Sequence, residues 1–144
     1  MLVRQILAMK GGGEVVTIGE DMLVSEAARI LSEKRIGTLV VSGNGSSPDG
    51  IMSERDIVRE LGRRGEGCLN DSVGALMTRN PVTCEPVDTA DHVLAKMTEG
   101  RFRHMPVVES GSMVGLISIG DVVKARLSEL SMEKEALEGM IKGF

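Results

Sequence analysis

Serine and aspartate recur at one spacing in two similar stretches of this 144-residue chain. The first stretch reads GIMSERD and contains Ser53 and Asp56, and the second reads GLISIGD and contains Ser118 and Asp121. In each stretch, Gly and two apolar residues predict a strand, and the polar residues stand where that strand would pass into a helix. Because a helix N-terminus presents free N–H groups and a positive dipole, both junctions are candidate sites for a phosphate.

The Ser-x-x-Asp spacing also fits a purely structural role. At the start of a helix, Ser can accept a backbone N–H while the carboxylate at the third position accepts another N–H in return. A ligand-binding Asp must instead direct its carboxylate into a cleft. The spacing leaves both roles open, and one Ser can serve in both.

The two stretches belong to a longer internal repeat. Val16–Val41 aligns in register with Val82–Val107, so that Thr17 pairs with Thr83, and GIMSERDIV then aligns with GLISIGDVV. Each half predicts an extended segment, a helix, two strands joined by a polar turn and a second helix. The repeat therefore predicts an α+β protein made of two β-α-β-β-α halves.

Composition and periodicity give approximate boundaries for these units. We expect the first half at 1–64, a Gly-rich polar linker at 65–72 and the second half at 73–130. The segment 131–144 has a helix-forming composition and predicts a helical tail. Because small sheets must cover one face, the halves should pack on each other.

With both motifs and the stretch RHMPVV in the second half, the chain resembles a tandem pair of cystathionine-β-synthase (CBS) domains, known as a Bateman module. The resemblance covers about Val3–Leu130. It implies two halves related by a pseudo-twofold axis and packed sheet to sheet, with two clefts between them. It also implies that these clefts hold adenosine-containing ligands: AMP, which we favour, or ADP, ATP, NAD(H) or S-adenosylmethionine.

The family's Gly-h-h-Ser/Thr-x-x-Asp frame, where h is an apolar residue, implies roles for the residues that match it. Asp56 and Asp121 become carboxylates that accept hydrogen bonds from a ribose diol. Ser53 and Ser118 become hydroxyl donors near the phosphate. The resemblance thus adds a ligand role to the capping role that the spacing allows.

Further contacts are implied by the same resemblance. Thr17 and Thr83 begin the segments that line the base and phosphate side of the clefts. The backbone of His104, Met105 and Pro106 resembles the segment that contacts the adenine edge. All of these are expected ligand-binding positions.

The halves also differ at positions that bear on binding. Gly37 and Thr38 begin the stretch that stands in the register of Arg103–Pro106, so the first half lacks the family's usual proline there. In the second half, Gly120 stands where Arg55 precedes the Asp of the first. Arg55 and Arg103 neighbour the family motifs and can supply a planar cationic fork to a phosphate. We therefore expect the two clefts to bind ligands differently.

Several function classes conflict with the composition. The net charge is −4 and only two residues are aromatic, which argues against nucleic acid as a partner. No apolar run is long enough to cross a membrane, and the N-terminus lacks an export pattern, so we expect a cytoplasmic protein.

Cys68 and Cys84 have no metal-binding spacing. Lys10–Glu14 (KGGGE) lacks the P-loop residues and predicts a flexible turn.

No nucleophile and base share a recognisable local pattern, so catalysis is not expected. The resemblance instead implies a regulatory module that binds an adenosine nucleotide and signals to a separate, unknown protein by changed packing. The alternative is a constitutive dimerisation scaffold with vestigial clefts. The resemblance also implies a homodimer, because modules of this family often pair through their helices. The apolar positions of the tail favour the same arrangement.

Overall fold

The computed structural model describes residues 1–11 and 15–142. Most of the expected turn at Lys10–Glu14 and the last tail residues, 143–144, lie outside the described residues. The elements of the first part are α1 (Val3–Met9), β1 (Thr17–Ile18), α2 (Val24–Lys34), β2 (Thr38–Val41), β3 (Gly50–Ser53) and α3 (Glu54–Arg64). The later elements are a 3-10 helix (Gly65–Asn70), α4 (Val73–Leu76), β4 (Thr78–Arg79), α5 (Ala90–Gly100), β5 (His104–Glu109), β6 (Ser112–Ser118) and α6 (Ile119–Ile141). The chain is a mixed α+β protein, as predicted.

The first-half sheet has the strand order β1-β2-β3-β4. β1 runs parallel to β2, and the other neighbours are antiparallel. The central strand β2 is buried along its whole length, as its apolar sequence TLVV favours. In β3 only alternate residues, Gly50 and Met52, are buried. The strand therefore delivers Ser53, half-buried, to the start of α3.

The second-half sheet contains β5 and β6, paired antiparallel. The extended segment expected at Val82–Cys84 contributes one parallel bridge, from Cys84 to Val107. Pro81 and Pro86 flank this segment. Because proline has no N–H to donate to a ladder, longer pairing is disfavoured there.

The two apolar cores exchange segments between the halves. Helix α1 lies in the first half of the sequence, yet Val3 and Ile6 are buried in the second-half core. In the other direction, Val73, Leu76 and Met77 lie in the first-half core. The first helix of each half, α1 or α4, therefore packs in the core of the other half.

A glycine allows each of these helices to approach its sheet. A Cβ placed on Gly50 would lie 2.6 Å from Met77 Sδ, and one on Gly115 would lie 2.7 Å from Leu7 Cδ2. Both distances are too short for van der Waals contact. Close packing therefore favours the Gly that opens each Gly-h-h-Ser stretch, independently of any ligand, and does so more strongly at Gly50, where the Thr78 carbonyl is also close.

The last helix, α6, continues without a break from Ile119 to Ile141. The expected C-terminal tail is therefore an extension of this helix up to the end of the described residues. Its apolar side chains Leu127, Leu130 and Leu137 are exposed.

Candidate functional site

Ser53 and Ser118 lie at the two strand-to-helix junctions, in extended conformation. The backbone N–H of Ser53 donates to Asp56 Oδ2 at 2.8 Å, and that of Ser118 donates to Asp121 Oδ2, also at 2.8 Å. In the second junction Asp121 N donates in return to Ser118 Oγ at 3.1 Å. Both carboxylates therefore cap their helices, and only their remaining lone pairs are free for other partners.

The second carboxylate oxygen of Asp56 accepts a hydrogen bond from an arginine of the same helix. Arg59 Nη2 donates to Asp56 Oδ1 at 2.7 Å, while Ser53 Oγ donates to Oδ2 at 3.2 Å. The Asp56 side chain is only 12% exposed and that of Arg59 is 58% exposed. The carboxylate is thus fixed in place, whereas its cationic partner reaches into solvent.

Asp121 has a partner from the distant N-terminal segment. Lys10 Nζ lies 2.9 Å from Asp121 Oδ2 and donates to the carbonyl of Leu116 at 2.8 Å. Burial alone would raise the pKa of Asp121, but hydrogen bonds from Lys10 and Ser118 outweigh it and hold that pKa below its ordinary value. The carboxylate is therefore ionised and paired.

A cleft of about 650 Å³ opens beside the first junction and reaches across to the second half. Its lining from the first half and the following connection is Gly37, Ile51, Ser53, Glu54, Arg55, Asp56, Arg59, Thr78, Asn80, Pro81 and Val82. Its lining from the second half, between the end of α5 and the start of β5, is Gly100, Arg101, Phe102, Arg103 and His104. The cleft therefore lies between the halves.

The positions expected to bind a ligand divide into two groups. Those that line this cleft are Gly37, Ser53, Arg55, Asp56, Arg103 and His104. Those that do not line it are Thr17, Thr38, Thr83, Met105, Pro106, Ser118 and Asp121. Thr38 contacts the cleft indirectly, through its hydrogen bond to His104. Met105 and Pro106 are buried in β5, so only their backbone could face a ligand.

Sequence reasoning missed several residues of the lining. Arg59 could have been found, because it lies one helical turn after Asp56 and on the same face of α3. Asn80, Pro81 and Val82 carry no motif, and they reach the cleft only because β4 joins the first-half sheet.

The cleft carries an excess of positive charge. Four arginines, Arg55, Arg59, Arg101 and Arg103, line it against two carboxylates, Glu54 and Asp56. The arginines come from both halves, two from α3 and two from the loop after α5. Guanidinium groups are well suited to bind phosphate oxygens in a bidentate manner.

The loop after α5 has a backbone that sets the position of this charge. Arg101 ends α5 in the left-handed conformation, with φ of 56°, as Arg35 ends α2 with φ of 53°. The Phe102 ring lies where a Cβ on Gly100 would stand. Gly100 thus allows Phe102 to fold back while Arg101 and Arg103 reach the cleft.

His104 lies where the cleft meets the interface between the halves. Its Nδ1 is 3.0 Å from Thr38 Oγ1 of the first half. Burial lowers the pKa of His104, and the charges of Lys10 and Arg103 act in the same direction, while Asp121 and Glu54 oppose them. The imidazole is therefore neutral at pH 7 and contacts Thr38 as a neutral hydrogen-bonding group.

Two other chemistries receive no support from the described part of the chain. Within residues 1–11 and 15–142, no group of three or more His, Cys, Asp or Glu side chains could hold a metal ion. Burial raises the pKa of the Cys84 thiol to about 12, so it is protonated and a poor nucleophile at neutral pH.

Comparison with known families agrees with this duplicated architecture. The family model of the CBS domain matches the chain twice, at residues 3–63 and 73–128. The chain belongs to the CBS-domain family. Its two CBS domains follow one another, and the Asp56 cleft lies between them. Among the helices described here, none is long and apolar enough to cross a membrane.

Related CBS proteins share both sequence and fold. A CBS-domain-containing protein from Agrobacterium tumefaciens is 44% identical with a TM-score of 0.82, over 88% of this chain and 99% of that one. A CBS domain protein from Pyrobaculum aerophilum, complexed with AMP, is 28% identical with a TM-score of 0.76, over 92% and 99% of the two chains. The curated relative CBSX3, mitochondrial, from Arabidopsis thaliana is 33% identical over 85% of this chain. The chain spans 62% of that relative's length.

Proposed function

We propose that this CBS-domain pair is a regulatory module that binds a phosphate-bearing adenosine ligand between its halves. The observation that carries the proposal is the cleft of about 650 Å³, which joins Asp56 of one half to Arg101 and Arg103 of the other. Small-molecule sites commonly have volumes of roughly 300–1,000 Å³. A ligand that contacts both groups would bridge the two halves.

Each part of such a ligand has matching chemistry in the cleft. Asp56 is fixed by its capping bonds and can accept ribose hydroxyls on its free lone pairs. The N-terminus of α3 and the arginines would bind the phosphate. Ile51, Val82 and Phe102 supply apolar surface for the base. Arg59 would either share the carboxylate with the ribose or turn toward the phosphate.

The charge of the cleft narrows the ligand class. AMP is the ligand we favour, and the relative complexed with AMP supports this choice. ADP, ATP and NAD(H) present the same combination of ribose and phosphate. S-adenosylmethionine carries a sulfonium cation and no phosphate, so the four arginines disfavour it.

The residues outside the Asp56 cleft remain candidates for a second one. These positions are Thr17, Thr83, Ser118, Asp121 and the backbone of Met105 and Pro106. They would form a site related to the first by the pseudo-twofold axis, with Asp121 in the role of Asp56.

The output of the module would be a change in how the halves pack. A bridging ligand favours one relative arrangement, and the shift is limited by its difference in affinity for the two arrangements. The receiver would be a separate protein, as yet unknown, in the cytoplasm. The Thr38–His104 hydrogen bond lies between the halves, so a change in their packing would alter this contact.

A second copy of the chain is the other proposed partner. Helices α3 and α6 follow equivalent junctions, and both expose apolar side chains, among them Val58 on α3 and Val123, Leu127 and Leu130 on α6. Pairing of these faces would remove apolar surface from water. This feature also favours the alternative function, a constitutive dimer that acts as a scaffold without ligand.

Thermal unfolding with a ligand panel tests the proposal. AMP, ATP, NADH and S-adenosylmethionine are each compared with adenosine, which has the ribose and base without a phosphate. At about 100 times its Kd, a bound ligand should add about 2.7 kcal/mol of stability and raise Tm by several degrees. We expect AMP to shift Tm more than adenosine does, since only AMP contacts the arginines.

The Asp56→Asn variant separates ligand binding from capping. Its amide oxygen can still accept the Ser53 N–H, but its charge is lost, so affinity for AMP should fall by roughly 10- to 100-fold while the fold persists. Asp88→Asn is the matched control, because Asp88 accepts a backbone N–H from Glu85 outside the cleft lining. If no member of the panel raises Tm, the scaffold function replaces the sensor.

A further inference from the structure

The two strand-to-helix junctions have equivalent frameworks but different neighbours. Leu7 packs on Gly115 as Met77 packs on Gly50, so the segments that follow these residues run past equivalent junctions. After Met77 the chain places Asn80 in the lining of the open cleft beside Asp56. After Leu7 it places Lys10 directly on Asp121. The two junctions therefore differ in one neighbour: Lys10 lies beside Asp121, whereas the uncharged amide of Asn80 lies in the cleft beside Asp56.

The Lys10 ammonium satisfies two acceptors at the second junction. It lies 2.9 Å from Asp121 Oδ2 and donates to the Leu116 carbonyl at 2.8 Å. Asp121 Oδ2 also accepts the Ser118 N–H. A ribose diol approaching Asp121 would thus meet a carboxylate whose negative charge is already neutralised by the chain.

We propose that Lys10 is an internal occupant of the second nucleotide site and that each chain therefore has one open site, at Asp56. This inference rests on the proposed function, because it assumes that the Asp carboxylates bind ribose. Lys10 then determines how many ligands a chain binds. It also accounts for the lining of the Asp56 cleft, which includes Asp56 and omits Asp121.

A ligand should be able to displace the Lys10 side chain from Asp121. The side chains of Lys10 and Asp121 are 38% and 22% exposed, and ion pairs in such partly solvated settings are weak. The bond to the Leu116 carbonyl adds one ordinary hydrogen bond. When a site is free only part of the time, its apparent affinity falls by that fraction. We expect removal of Lys10 to tighten the second site about tenfold.

Isothermal titration calorimetry with AMP tests the inference through the number of sites. The parent chain should bind one AMP tightly, and Asp56→Asn should weaken that binding by roughly 10- to 100-fold. Lys10→Met keeps the aliphatic length of the side chain without its charge, and it should show two sites. The double variant Lys10→Met/Asp56→Asn should retain the new site, and Lys10→Met/Asp121→Asn should lose it.

Lys34→Met is the control for loss of one positive charge, since Lys34 lies at the end of α2 and outside the cleft lining. It should bind AMP as the parent does. The Tm of each variant without ligand verifies that it is folded.

The other outcomes overturn the inference in distinguishable ways. An unchanged isotherm for Lys10→Met, or two equal sites in the parent, means that Lys10 does not close a site, while the proposed function stands. Weaker binding in Lys10→Met means that Lys10 contacts the ligand instead of excluding it. If neither the parent nor any variant binds AMP, ATP or NADH, the proposed function and this inference both fail.

Discussion

Thr38 Oγ1 and His104 Nδ1 lie 3.0 Å apart, although the two residues belong to different halves. They also hold the same register position in their halves: Thr38 pairs with Ser53 across the first sheet, and His104 pairs with Ser118 across the second. The contact thus joins equivalent points across the pseudo-twofold axis. It therefore links the strand pairs that contain Ser53 and Ser118, the serines of the two candidate ligand junctions.

The first prediction concerns the strength of this contact. Thr38→Val and His104→Gln, singly and together, should give a coupling free energy of about 1 kcal/mol in a double-mutant cycle of urea unfolding. Thr38 is 5% exposed, so Thr38→Val should also leave His104 Nδ1 without its partner. Thr98→Val, which removes an exposed hydroxyl bond to the Leu94 carbonyl, is the control and should show no coupling to His104→Gln. A coupling near zero would mean that the contact does not join the halves energetically.

The second prediction concerns pH. Because burial lowers the pKa of His104, the folded state binds its proton less readily than the unfolded state does. The associated stability is fully present above the ordinary histidine pKa of about 6.5 and is lost as pH falls through the lowered value. Tm should therefore decline with acidification below about pH 6.5 in the parent and decline less in His104→Gln.

The chain has one other histidine, His92, which lies exposed near the start of α5. His92→Gln therefore serves as the control for the pH experiment and should reproduce the parent's decline. If His104→Gln loses stability between pH 7 and 5 as steeply as the parent does, the burial of His104 is not what makes the fold sensitive to acid.

The third prediction concerns the glycines that open the two Gly-h-h-Ser stretches. Gly50→Ala should destabilise the fold by about 1–3 kcal/mol, because the new Cβ would overlap Met77 Sδ and crowd the carbonyl of Thr78. Gly115→Ala should cost less, since the nearest atoms are all in the flexible Leu7 side chain. Gly62→Ala on α3 meets no atom within 4 Å and should be neutral or stabilising, because Ala favours helix. Equal effects at all three positions, measured by urea unfolding, would contradict the packing argument.

The fourth prediction concerns the exposed helix faces. Leu127 is 62% exposed on α6, so Leu127→Glu should leave the monomer fold intact while placing charge in the proposed dimer interface. Sedimentation velocity should show a dimer for the parent and a monomer for this variant. Val87→Glu is the control, since Val87 is 59% exposed but lies outside α3 and α6. A parent that sediments as a monomer at all concentrations would rule out a homodimer through these faces.

Most of the architecture could be predicted from the internal repeat. The pairing of Thr17 with Thr83 and of GIMSERD with GLISIGD reflects apolar periodicity, which local sequence records directly. The exchange of α1 and α4 between the cores could not be predicted in this way. Val3 and Val73 are simply apolar helix residues, and which sheet covers them depends on the path of the whole chain.

The candidate site shows the same division. Sequence determined that two Ser-Asp junctions exist, that Arg55 and Gly120 make them unlike, and that a cap role and a ligand role compete. Only the tertiary structure decided which groups reach each junction, because those groups come from distant segments: Arg101 joins the Asp56 cleft, and Lys10 joins Asp121. Side-chain spacing fixes neighbours along one helix or strand, whereas contacts between segments follow from how the cores pack.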